Sequence, residues 1–104
     1  MTNFLYAYRG GGMASTDAER EASMAAWGAW FGTLGPAIVE PGNPFGASTS
    51  VSASGAGAQA DSKLTGFTVV KADSLDAAAE LAKGCPVFDE GGEIDVYETI
   101  EVNM

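Results

Sequence analysis

A chain of 104 residues has room for a single domain, 1–104, with one modest core, and 46% hydrophobic against 18% charged residues means that it folds rather than staying disordered. Its 14 acidic and 5 basic residues give a net charge of −9, a field that repels a phosphate backbone and an anionic membrane surface and so removes nucleic acid and membrane as partners. The chain has no histidine, which removes imidazole catalysis, Ser-His-Asp chemistry and the usual zinc ligand sets.

In residues 3–8, Phe4, Tyr6 and Tyr8 alternate with Leu5 and Ala7, the two-residue period of a strand with both faces apolar. Gly10, Gly11 and Gly12 end it in a loop. The apolar run is too short for a secretory leader, and no leader is expected. Thr16-Asp17-Ala18-Glu19 fits a capping box and opens a helix predicted over 17–34, with Met24, Trp27, Trp30, Phe31 and Leu34 inside one arc of about 120°. Gly35 and Pro36 stop it. The uncharged stretch 22–39 is broken by Gly28, Gly32 and Gly35-Pro36 and flanked by Glu21 and Glu40, so it is not read as a membrane span.

Residues 37–40 form a short strand, followed by the turn Pro41-Gly42-Asn43-Pro44. Between 46 and 62, 13 of 17 residues are Gly, Ala or Ser, which predicts a weak edge strand, best placed at 49–52, and a mobile loop. Phe67, Val69 and Val70 mark a strand over 64–71. Asp73 or Ser74 caps a second helix with Leu75, Ala78, Ala79 and Ala82 as its apolar stripe, closed by Gly84 and Pro86. The last strand covers 93–102, with Ile94, Val96, Ile100 and Val102 on one face and Glu98 among them. Cys85, the lone cysteine, makes no internal disulfide, which points to a reducing, cytoplasmic setting. With no base to activate it, the thiol is read as a packing group.

This order gives an α+β fold, a ferredoxin-like two-layer sandwich with an antiparallel sheet and two helices on one face. The other face is left bare, a larger apolar patch than a soluble monomer shows, so a second copy of the chain is expected to cover it.

Several stretches carry a resemblance. They are Leu64-Thr65-Gly66-Phe67-Thr68-Val69-Val70, Asp73-Ser74-Leu75-Asp76-Ala77-Ala78, Ala82-Lys83-Gly84-Cys85-Pro86 and Gly91-Gly92-Glu93-Ile94-Asp95-Val96. Together with the Tyr-rich first strand, Trp27-Gly28-Ala29-Trp30 and Gly42-Asn43-Pro44, they make nearly the whole chain similar to the YCII-related family, also called the DGPF domain family. The resemblance implies a dimeric α+β barrel in which two such sheets face each other. Where many relatives carry Asp-Gly-Pro-Phe, this chain has Gly57-Ala58-Gln59-Ala60-Asp61-Ser62-Lys63. The His and Asp proposed as a catalytic pair in one branch correspond to Met24 and Thr33, and a last-strand Arg to Tyr97, so that machinery does not carry over.

Among candidate residues, Glu98 on an apolar strand face is the potential general acid or base, because desolvation would raise its pKa. The plainer alternative is that the strand frays there and Glu98 reaches water. Tyr6, Trp30 and Phe67 are assigned to a ligand cleft, since aromatic walls with a few hydroxyls are the common makeup of such sites. Tyr8 is a further candidate, while helical spacing assigns Trp27 and Phe31 to the core. Arg9 before its glycines is read as part of a loop rather than a phosphate cradle, and Asp89, Glu90, Glu93 and Asp95 as a solvated turn rather than a metal site. The expected function is a homodimeric protein that binds a small hydrophobic or aromatic metabolite without metal or organic cofactor. One alternative is a cofactor-independent lyase or isomerase using Glu98 or a Tyr; another is a structural or regulatory dimer.

Overall fold

Alternation in the first strand sets the architecture. In the computed structural model, which describes residues 1–11, 16–58 and 63–102, β1 (Thr2–Arg9) buries Phe4, Tyr6 and Tyr8 on one side and turns Leu5 and Arg9 to the other. It lies between β5 (Leu64–Ala72) and β6 (Glu93–Glu98), antiparallel to both, so Tyr6 stands opposite Thr68 on one flank and Val96 on the other. A short β2 (Ile38–Glu40) joins the far edge of β5, giving the sheet order β2-β5-β1-β6.

Both helices cover the Tyr6 face. The first, α1 (Asp17–Leu34), spans the predicted 17–34, with the Thr16 hydroxyl accepting from the Glu19 amide as the capping box requires. At its other end Gly35 has a positive φ of 52° and Pro36 turns the chain into one 3₁₀ turn. Trp30 and Leu34 are the buried members of its stripe. The second helix, α2 (Leu75–Ala82), is capped by Ser74, whose hydroxyl accepts from the Ala77 amide, and it presses Ala78 and Ala82 onto the sheet. Tyr6 ties the layers together, because its hydroxyl donates to the Ala78 carbonyl at 2.5 Å. The result is an α+β sandwich with two helices on one face of an antiparallel sheet, compatible with a ferredoxin-like fold.

Several expectations need correction. The Gly/Ala/Ser-rich segment does not supply an edge strand to the main sheet: β3 (Ser50–Ser52) and β4 (Gly55–Ala58) pair only with each other. Val51, left exposed, is the one large apolar side chain the two strands carry, too little apolar area to dock them on the sheet. The rest of the predicted loop, 59–62, lies outside the described residues, as does Gly12. The last strand stops at Glu98, where the Thr99 amide and hydroxyl both donate to the Asn3 carbonyl, so Ile100 and Val102 stay exposed. On α1, Met24 is 75% exposed, and on α2 the packing partners of Ala78 and Ala82 are Ala77 and Leu81 rather than Leu75 and Ala79. Among the described residues no helix is long and apolar enough to cross a membrane.

Candidate functional site

A cavity of about 500 Å³ opens where the layers diverge, between the 23–31 stretch of α1 and the segment 41–45 that follows β2. Its helix wall is a single stripe. Ser23, Trp27 and Phe31 follow one another at four-residue intervals, so they line up along one side of α1. The sheet wall is Tyr8 and Thr68, which meet in an aromatic corner where Tyr8 packs edge-on to Trp27 at 5.2 Å. The third wall is the loop, and glycine makes it possible. Gly42 has φ +76°, and a Cβ there would overlap the Phe67 carbonyl, so only glycine lets the loop lie this close to β5. The Pro44–Gly66 bridge and the Phe45 amide donating to the Thr65 carbonyl at 2.9 Å then extend it along the strand, with the Phe45 and Phe67 rings stacked 5.9 Å apart.

Polar groups sit at both ends. At the inner end the Tyr8 hydroxyl donates to Thr68 Oγ1 at 2.7 Å, and Thr68 Oγ1 donates to the Pro41 carbonyl at 2.8 Å. Burial pushes the Tyr8 phenol well above its ordinary value, so it stays protonated. At the outer end half-buried Glu90 accepts from Ser23 Oγ at 2.5 Å. Glu90 closes the 3₁₀ turn Pro86–Glu90, which Gly91 terminates in the left-handed region. The next residue, Gly92, lies so close to β1 that an added Cβ would fall 2.8 Å from the Arg9 carbonyl oxygen.

Of the residues singled out from the sequence, Phe67 lines this cavity. Tyr6 and Trp30 do not. Tyr6 is fully buried, and Trp30 is 5% exposed with its indole N–H donating to the Leu81 carbonyl at 3.2 Å. The polar handle of each ring reaches a backbone carbonyl of α2, which seats the ring in the core. Trp27 and Phe31, assigned to the core by spacing, do pack half-buried against it and also line the cavity. Glu98 is exposed at the end of β6, so the desolvation on which its assignment as acid or base rested is absent, and the strand end reaches water. Ser23 and Glu90 were missed as site residues. Ser23 carries a sequence signal, one turn ahead of Trp27 on the same stripe, but the partner of Ser23 sits 67 positions away in the chain. Arg9 is committed elsewhere, its guanidinium donating to Asp95 at 2.7 and 3.1 Å and to Glu93 at 2.6 Å on the opposite sheet face. The acids of that stretch therefore diverge, Glu90 to Ser23 and Glu93 and Asp95 to Arg9. Cys85 is 3% exposed, and burial pushes its thiol up to about 12.

Comparison with curated proteins and with solved structures returned no match. The family model of the YCII-related domain, by contrast, matches residues 4–103, nearly the whole chain, and this protein belongs to that family.

Proposed function

We propose that the protein is a homodimer that binds a small hydrophobic or aromatic metabolite in the cavity between α1 and the 41–45 loop. The observation that carries this reading is the cavity itself. At about 500 Å³, it falls within the range of roughly 300–1,000 Å³ usual for small-molecule sites. Aromatic walls from Tyr8, Trp27 and Phe31 and polar groups at two ends supply the apolar body and the few orienting contacts that such sites combine. The dimer is supported by surface area. The chain exposes 7165 Å², where a compact monomer of 10.6 kDa exposes about 5,500 Å². The bare sheet face, where Leu5, Val69 and Tyr97 stand side by side in register, contributes to that exposed surface.

The two tryptophans divide the test. Replacing Trp30 with Phe leaves Trp27, which lines the cavity, as the sole indole; replacing Trp27 with Phe leaves the buried Trp30. In a titration with a panel of small hydrophobic and aromatic metabolites, the emission of the Trp30→Phe protein is expected to quench or shift. The Trp27→Phe protein should change far less. No response of Trp27 to any member of the panel overturns the reading.

A further inference from the structure

Resting on that reading of the cavity, we propose that its ligand carries a cationic amino group on an apolar or aromatic body, and that Glu90 receives the ammonium. The first argument is charge. Glu90 is the charged residue among the described cavity walls, and none of the five Lys and Arg residues lines it. Arg9 is held by Asp95 and Glu93 on the far sheet face, Arg20 by Asp17, and Lys83 by Glu80. Lys71 stands opposite Asn3, toward the other end of the sheet from Tyr8 and Gly66. The fifth, exposed Lys63 just before β5, is likewise absent from the described cavity wall, and with no histidine in the chain that wall offers no basic side chain to a carboxylate or phosphate on a ligand.

The second argument is the direction of the hydrogen bonds. Each hydroxyl on the described cavity wall spends its proton inside the protein. Tyr8 donates to Thr68 and Thr68 to the Pro41 carbonyl. Thr65 donates to the Gly10 carbonyl at 3.0 Å, and Ser23 to Glu90. What these side chains turn toward a ligand is lone pairs, and the Asn43 amide, which donates and accepts alike, does not change that balance. An acceptor-rich cavity complements a ligand rich in donors, and an ammonium brings three N–H groups and the charge that strengthens each bond to a carboxylate. The third argument is the walls. Trp27, Tyr8 and Phe31 line the cavity between its two polar ends, where a ring face attracts a cation through the ring quadrupole and the rings together pack an aryl body. A net charge of −9 further raises the local concentration of cations over anions.

Three probes of matched shape test this by titration calorimetry on the intact protein at neutral pH: phenethylamine (cation), phenethyl alcohol (neutral) and hydrocinnamate (anion). The amine is expected to bind at least about tenfold more tightly than the alcohol, with the anion weakest, and its advantage should shrink as salt is added. Glu90→Gln should bring the amine down to the level of the alcohol, costing the amine about tenfold or more and the alcohol far less. Should that variant fail to fold, the ranking and salt dependence in the unaltered protein still decide. Equal affinity for amine and alcohol, or a preference for the anion, overturns the proposal and leaves the cavity reading standing. Absence of binding by all three overturns both.

Discussion

At the scale of single residues, burial in this protein keeps acids protonated. Cys85 lies under the sheet with its thiol pushed up to about 12, chiefly by burial and then by the nearby Glu90 charge, against a partial offset from its backbone hydrogen bond to Val87. Tyr6 is pushed up to about 12 by burial and, secondarily, by Cys85. Each is an acid that holds its proton more tightly folded than unfolded. Its contribution to stability is therefore complete below the unfolded value, 9.0 for the thiol, and drains away as pH climbs toward about 12. Between neutrality and about pH 10 only the thiol is well into its unfolded titration range, so roughly 1 kcal/mol should be lost in that window. Urea midpoints are expected to fall over this range in the natural protein and to stay flatter in Cys85→Ala, whatever that variant costs at neutrality. Parallel curves for the two proteins would show that the thiol ionises as freely folded as unfolded.

At the scale of elements, the loop 41–45 decides whether there is a cavity at all. Its contact with β5 depends on Gly42, where both the positive φ and the overlap with the Phe67 carbonyl exclude a side chain. Gly42→Ala is expected to destabilise the fold by about 2 kcal/mol or more and to lift the loop off the strand, weakening any cavity ligand beyond what the stability loss explains. A chemical denaturation curve and a ligand titration on the same sample check both effects; unchanged values for both would mean that the loop tolerates a different path. Helices and central strands were legible in the sequence because their signals are local. Thr16 and Ser74 cap, Gly35-Pro36 stops, and Phe4, Tyr6 and Tyr8 alternate within a few residues of one another. The cavity was not, because its parts are far apart in the chain. Spacing places Trp27, Trp30 and Phe31 on one arc but cannot say which indole finds a carbonyl, and that choice is made by Leu81, 51 positions from Trp30. Ser23 and Glu90 acquire a role only once the 3₁₀ turn of 86–90 docks beside α1.

At the scale of the whole molecule, the chain is a slab. Its extents are 43 × 38 × 18 Å, the short dimension holding just one sheet and one helix layer, and its radius of gyration of 15.2 Å exceeds the about 13 Å of a compact domain this long. One face of the slab is uncovered sheet, with Leu5 centred between Val69 and Tyr97 and the Arg9–Asp95–Glu93 cluster at one end. In the proposed dimer, two such faces gain by hiding apolar area, while two bodies of charge −9 repel one another. The repulsion is long-ranged and screened by salt, whereas the apolar gain is not, so ionic strength should set the balance. Sedimentation at micromolar concentration is expected to show dimers whose dissociation constant falls, by roughly tenfold or more, as salt rises from tens of millimolar to a few hundred millimolar. Leu5→Asp places a charge at the middle of the buried face and should yield single subunits at every salt concentration, with the circular dichroism of a folded chain. Folded single subunits of the natural protein across the whole salt range would mean that this face lies open to water, and the proposed homodimer would then be withdrawn independently of whether the cavity binds.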